Sequence, residues 1–168
     1  MAKASTRGRR AAPKDPLDDI EAGTIAPVYY VCGEPFSRLR LVAAVRKAVL
    51  GDEGNANAFN YDGLTAKAAG ANGILSAVRT MPMLGDKRLV QVADAHELPA
   101  DELNKLLPYI KDPSPRSVLL MVADSADLRL KFFNAAKKSG GVVQRYEPLK
   151  ERQAPAWVSS EARRQGVK

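Results

Sequence analysis

Eight consecutive residues, Gly33-Glu34-Pro35-Phe36-Ser37-Arg38-Leu39-Arg40, follow a short apolar run at the place where a phosphate-binding turn would lie. A nucleotide cradle of the P-loop kind needs Gly-x-x-x-x-Gly-Lys-[Ser/Thr]. Its backbone N–H groups wrap the phosphates, its Lys neutralises charge and its hydroxyl holds Mg²⁺. Laid on that template from Gly33, the second Gly becomes Arg38, the Lys becomes Leu39 and the hydroxyl residue becomes Arg40. Pro35 deletes one N–H, and Glu34 puts a negative charge where a phosphate would sit. Arg38 and Arg40 attract anions without rebuilding the cradle. A water-activating Asp-Glu pair is incomplete as well, because Asp94 is followed by Ala95 and His96. Asp94 reads as a cap for the next turn, and His96 as a surface or loop histidine. Ala123-Asp124 offers no Thr or Asn to sense a γ-phosphate. The stations of a nucleotide-hydrolysing site are in place, and the reactive groups are missing from each.

Other chemistry is narrowed by counting. One His (His96) and one Cys (Cys32) exclude a His/Cys zinc site, a Cys/His nucleophile and an internal disulfide framework. No metal or cofactor is expected, and a lone Cys fits a reducing cytoplasm. Met81-Pro82-Met83-Leu84-Gly85 asks a different question. Pro82 ends a helical pattern and Gly85 opens a turn, so Met83 and Leu84 fall on a connection, where polar residues are the rule. Either the pair folds back to staple the helix to the sheet, or it serves a partner. Lys87 and Arg88 follow as charges at the start of a strand.

The net charge of +7 is concentrated at one end. Residues 129–168 hold ten Lys/Arg against three Asp/Glu, while the first 128 hold sixteen of each sign. Such an end suits a polyanion, or simply a solubilising surface. The basic residues that could face DNA are Arg129, Lys131, Lys137, Lys138 and Arg145, with Phe132, Phe133 and Tyr146 the only aromatics beside them. Phe132 fits a core position, which leaves little for base stacking.

The elements that would position these residues alternate along 168 residues, of which 45% are hydrophobic and 27% charged. Residues 1–23 lack apolar periodicity and read as a disordered arm of mixed charge. Pro27-Val28-Tyr29-Tyr30-Val31-Cys32 predicts a buried strand. Leu41, Val42, Val45, Ala48 and Val49 then form a helical stripe opened by Pro35. Ala58-Phe59-Asn60-Tyr61 predicts a weak strand closed by Asp62-Gly63, and Ile74, Leu75, Val78 and Met81 a helix stopped by Pro82. Leu89-Val90-Gln91-Val92-Ala93 is a third strand. Leu103, Leu106, Leu107 and Ile110 mark a helix that Pro108 should kink or end. Residues 117–123 predict the central strand, apolar on both faces. Leu128, Phe132, Ala135 and Ala136 mark a helix stopped by Gly140-Gly141, and Val142-Val143-Gln144-Arg145-Tyr146 a fifth strand. The βα alternation predicts a three-layer α/β domain over residues 24–147, with a mostly parallel five-stranded sheet between helices. Residues 148–168 break the rhythm, and Ala156-Trp157-Val158 with Ala162 predicts the start of another helix. No apolar run approaches the roughly 20 residues of a membrane span.

Three segments carry a family resemblance: Pro27-Val28-Tyr29-Tyr30-Val31-Cys32-Gly33-Glu34-Pro35-Phe36, then Arg79-Thr80-Met81-Pro82-Met83-Leu84-Gly85-Asp86-Lys87-Arg88-Leu89-Val90, then Pro148-Leu149-Lys150-Glu151 with Ala156-Trp157. In this order and spacing they resemble the delta subunit of the bacterial DNA polymerase III clamp loader, from about Pro27 to the C-terminus. The resemblance implies an AAA+-type domain that has lost nucleotide binding. It would be a non-catalytic, cytoplasmic part of the DNA polymerase III holoenzyme, a DNA-directed DNA polymerase and so a nucleotidyltransferase. The subunit would bind and open the sliding clamp (the beta subunit) for loading onto primed DNA during replication. Members continue into a helical lid and a collar that joins the other loader subunits, so residues 148–168 are expected to begin a truncated lid. The resemblance makes Met83 and Leu84 the wedge that enters an apolar clamp pocket. The family's frequent Leu-Phe is here Met-Leu, and the first turn is a residue shorter than the common Gly-Glu-Glu-Pro. Lys87 and Arg88 would touch an acidic clamp rim, and DNA would be met mainly by the assembled loader.

Two other readings use the same residues. A degenerate P-loop ATPase would work with Arg38, Arg40 and Asp94. A stand-alone nucleic-acid-binding module would work through the basic end, with affinity falling steeply in salt.

Overall fold

The structure, a computed structural model, describes residues 15–51, 58–83 and 85–148, with residues 158, 159, 162, 163 and 166 beyond them. It opens with a correction. Residues 16–21 are not part of a disordered arm but form a short helix, α1 (Pro16–Glu21). The Asp15 carboxylate accepts the Leu17 N–H at 3.1 Å and Pro16 fills the first turn, where its missing N–H costs nothing. Leu17 and Ile20, three residues apart, are both buried. Residues 1–14 lie outside the described residues.

β1 (Val28–Gly33) leads into α2 (Pro35–Leu50), and a 3-10 turn (Ala58–Asn60) into β2 (Tyr61–Thr65). There follow α3 (Ala66–Arg79), β3 (Arg88–Ala93), a 3-10 turn (Ala95–Glu97) and α4 (Ala100–Lys111). β4 (Ser117–Ala123), α5 (Lys131–Lys138) and β5 (Val142–Tyr146) complete the domain. The five strands form one sheet in the order β2-β3-β4-β1-β5, and all four pairings are parallel. Every β-to-β connection therefore crosses over a face of the sheet, which the helices cover. Period-2 alternation divides the core between those faces. Val28, Tyr30 and Cys32 of β1 join Leu119 and Met121 of β4 in one cluster, with the buried side of α3, α4 and α5. Tyr29, Val31, Val118 and Leu120 belong to the other, with α1 and α2. The three-layer α/β reading holds, and β4 is the central strand, with six of its seven residues buried.

Three further expectations are corrected. The second strand begins at Tyr61, not Ala58, so Asp62 and Gly63 lie inside it and pair with Val90 and Gln91. The third helix begins at Ala66, breaks at Gly70 (φ 56°) and resumes where Glu102 accepts the Ala71 N–H at 2.7 Å. It ends at Arg79, leaving Met81 outside it and exposed. Pro108 does not end α4, which runs three residues further. In the last turn Pro108 removes only one backbone bond, and burial of Tyr109 and Ile110 holds the turn in place. Residues 158, 159, 162 and 163 are helical, whereas Ala156 and Trp157 lie outside the described residues. Among the described residues no helix is long and apolar enough to cross a membrane.

A parallel sheet with helices running back against it has two unlike ends, a strand-end edge and a strand-start edge, distinct from its outer strands β2 and β5. The turn after β1, Asp94 and Asp124 all sit where strands end. The connection from α3 to β3, which carries Met83, sits where strands begin. The two candidate sites are at opposite edges of one sheet.

Candidate functional site

At the strand-end edge, the first turn is filled by its own backbone partners. Gly33 (φ 95°) passes so close to β5 that a Cβ would collide with the Tyr146 carbonyl. The Gly33 N–H donates to the Asp124 carbonyl at 3.2 Å and the Glu34 N–H to the Tyr146 carbonyl at 2.9 Å. Pro35 has no N–H to offer. The Phe36 and Ser37 N–H groups donate to the Glu34 carboxylate, at 2.9 and 2.7 Å. Glu34 thus stands at the positive end of α2, in the place a phosphate takes in a cradle. Partial burial works against its charge, but the Ser37 and Phe36 donors and nearby Arg38 outweigh that and hold the carboxyl below the usual range.

The charges around this turn are also spoken for. Arg38 donates to the Ala123 carbonyl and forms an ion pair with Asp124 at 2.6 Å. Bonding to Arg38 keeps the Asp124 carboxyl low. Arg40 pairs with Asp15 at 3.5 Å, and Leu39 points into solvent. Asp94 takes a left-handed conformation (φ 55°, ψ 37°) and its side chain makes no capping bond, which corrects the cap reading. Its carbonyl accepts the Glu97 N–H at 2.8 Å instead. Ala95 is buried. His96 is exposed as expected, and through Nδ1 accepts the Asp124 N–H at 3.3 Å. The structure brings Arg38, Asp124 and His96 together but leaves no cradle of free N–H groups there.

At the opposite edge, Met83 is 58% exposed and held from behind. The Asn60 side chain, 1% exposed, accepts the Met83 N–H at 2.6 Å and donates to the Met83 carbonyl at 2.5 Å. One buried amide thus pairs with both polar groups of a residue 23 positions away, as a neighbouring strand would. The stapling alternative for Met83 is not what the structure has, because the side chain stays outside. Leu84 lies outside the described residues. Lys87 is half-buried. Arg88 is not an exposed rim charge, and that expectation is corrected: it is 8% exposed and bonded inward. Its Nε donates to Asp62 at 2.8 Å, its Nη2 pairs with the same carboxylate at 2.5 Å, and its Nη1 donates to the Phe59 carbonyl at 3.0 Å. Arg88 fixes the turn that carries Asn60, and Asn60 fixes Met83.

The basic residues separate into two groups. Arg129 is held by Asp127 through Nε and Nη2, at 2.8 and 2.9 Å, and the bond lowers the Asp127 pKa to about 2. Arg145 pairs with Glu147 at 3.1 Å. Lys131, Lys137 and Lys138 are exposed on α5, and Lys131 and Lys138 line a groove of about 470 Å³ with Lys111 of α4. Phe132 and Phe133 are both buried, packed edge-on with Tyr30 at 6.2 and 4.8 Å. No base-stacking platform accompanies these lysines among the described residues.

Residues 29–145, well over half of the chain, match the family described as DNA polymerase III, delta subunit. The chain belongs to that family. Its fold is similar to that of the Bacillus subtilis DNA clamp loader delta protein, with a TM-score of 0.74 at 21% identity over 88% of this chain and 46% of that one. It is similar, more distantly, to a DNA polymerase III gamma subunit-related protein from Thermotoga maritima, with a TM-score of 0.52 at 16% identity over 86% and 48% of the two chains. The chain thus spans about half the length of these two relatives. No curated protein sequence matches it. Membership in the delta family agrees with the resemblance read from the sequence, and both structural relatives share the α/β architecture.

For a delta-family domain, the residues missed by sequence reasoning are Asn60 and Phe59. Asn60 read as part of a strand, yet it positions Met83. Phe59, 66% exposed, is held by its carbonyl to Arg88. The only local signal was an aromatic and an Asn at the rim of a strand too polar to be central.

Proposed function

We propose that this domain is the clamp-binding part of a DNA polymerase III delta subunit. It inserts Met83 and Leu84 into an apolar pocket of the sliding clamp and opens the ring for loading onto primed DNA. The observation that carries the reading is the Asn60 clasp, which holds the backbone of an exposed methionine in a delta-family domain. Burying both side chains contributes up to about 3–6 kcal/mol before the loop is ordered. The clasp lowers that ordering cost. No chemistry is needed on this chain, since a protein that binds the open ring better than the closed one shifts the ring toward opening by that difference.

The domain takes no nucleotide in this reading, because the first-turn N–H groups are bonded within the protein. ATP bound by sister subunits would control when the wedge is exposed. Those subunits would be met through lid and collar regions of the kind that delta proteins carry. Clamp-rim contact falls to Lys87, because Arg88 is turned inward. DNA contact is weak and made through Lys131, Lys137 and Lys138, since Arg129 and Arg145 are already paired with carboxylates.

The test is a titration against the cognate sliding clamp, as a closed ring and as a variant with a weakened ring interface. The wild-type chain is expected to bind both and to prefer the weakened ring. Met83→Ala/Leu84→Ala is expected to lose ten- to a thousandfold (about 1.4–4 kcal/mol) against both. Equal affinity of wild type and variant would place the wedge elsewhere. Equal affinity for the two clamp forms would remove the opening mechanism.

A further inference from the structure

We propose that Phe59 is a second anchor of the clamp-docking surface, presented beside Met83 from a different part of the chain. The inference rests on the clamp-binding reading above and extends it to a residue outside the Met83-Leu84 connection. Phe59 lies in the Ala58–Asn60 turn, whereas Met83 lies between α3 and β3. Hydrogen bonds make the two places one unit. Asn60, the next residue after Phe59, clasps the Met83 backbone on both its polar groups. The path from the Phe59 Cα through Asn60 to the Met83 Cα is at most about 12 Å, from standard bond lengths.

The ring is outside because what lies behind it is filled. Asn60 and Arg88 are both buried, and Arg88 takes the Phe59 carbonyl at 3.0 Å while gripping Asp62. The backbone of the turn is fixed with the aromatic side chain left in water. Among the described residues, Phe59, Met81 and Met83 are three of only six large apolar side chains that are exposed, at 66%, 59% and 58%. All three belong to the segments that the Asn60 clasp joins. Single exposed apolar residues need no explanation, but three on segments joined by the Asn60 hydrogen bonds do. Aromatic side chains on fixed backbone are the usual anchors of an interface. Arg79 is exposed at the end of α3, and Lys87 and the acidic Asp86 follow Met83. The occupant fitted by this surface is a concave apolar site on the face of the clamp ring that also receives Met83.

The experiment titrates the full chain against the cognate clamp with four variants: Phe59→Ala, Phe59→Leu, Phe59→Lys and Met83→Ala. Phe59→Ala is expected to weaken binding about tenfold or more with an unchanged melting temperature, since the ring supports nothing in the core. Phe59→Leu is expected to recover most of that loss, and Phe59→Lys to weaken binding at least as far as Ala. If all three Phe59 variants stay within twofold of wild type while Met83→Ala loses tenfold, the inference is overturned and the clamp-binding reading stands. If wild type does not bind the clamp, both are overturned. If Phe59→Ala melts early, Phe59→Leu and Phe59→Lys decide. Equal loss in those two, despite their opposite chemistry, would make Phe59 a structural residue and overturn the proposal.

Discussion

Glu34 turns a phosphate position into a helix cap, and its ionisation ties that cap to pH. The carboxyl is held below the ordinary range in the folded state, so the folded protein prefers the charged form. Its contribution is complete above the unfolded pKa of about 4.3 and is lost as pH falls through the lower folded value. Glu34→Ala is expected to cost about 1 kcal/mol at neutral pH, the usual worth of a cap. Thermal melts of wild type and variant should converge as pH is taken below 4, and a gap that stayed constant down to pH 3 would detach the effect from the carboxylate. The misplaced charge was legible in the sequence, because a Glu directly after Gly33 opposes any phosphate there. That Glu34 would accept two N–H bonds was not, since the same Glu could have turned to solvent. Asp94 is the reverse case: its type suits a cap, yet its backbone is left-handed and its side chain makes no capping bond.

The connection that presents Met83 is stabilised from the next strand and the preceding turn, so elements remote in sequence decide its shape. Arg88 opens β3, Asp62 lies in β2, and their pair holds the Ala58–Asn60 turn. Arg88→Ala leaves Asp62 facing the interior alone and frees the Phe59 carbonyl. It is expected to lower stability by about 2–4 kcal/mol, below the full cost of breaking a wholly buried pair because Asp62 is partly solvated. Urea denaturation checks the loss. Clamp affinity should fall too at temperatures where the variant is folded, although Arg88 is itself buried; unchanged affinity would separate the turn from the proposed docking surface. Four of the five strands and most helix faces were legible because each is a local apolar pattern. β2 was displaced by three residues because its strand contains Asp62 and Gly63, which read as a turn until their pairing with Val90 and Gln91 is known. The pairing of Asn60 with Met83 escaped because no local pattern links residues 23 apart. α1 escaped because two apolar residues in six do not make a periodicity.

At the scale of the whole domain, the two edges of the sheet are built for different things: one is closed by its own bonds and the other holds exposed apolar side chains on fixed backbone. The closed edge carries a prediction. Millimolar Mg-ATP should leave the melting temperature unchanged, whereas occupancy at a hundred times Kd would add about 2.7 kcal/mol and raise it by several degrees. Such a rise would restore the ATPase reading. The fold class was legible from the βα alternation, whereas the strand order, which sets β1 between β4 and β5, was not. That placement bears on how the chain is made. β1 pairs only with β4 and β5, so residues 28–33 have no sheet neighbour until residue 117 and beyond have been synthesised. At about 5–20 residues per second the wait is roughly 4–17 s. Through that interval an apolar strand of the future sheet interior has no native sheet neighbour, and mispairing of this domain during its own synthesis has its widest opening there.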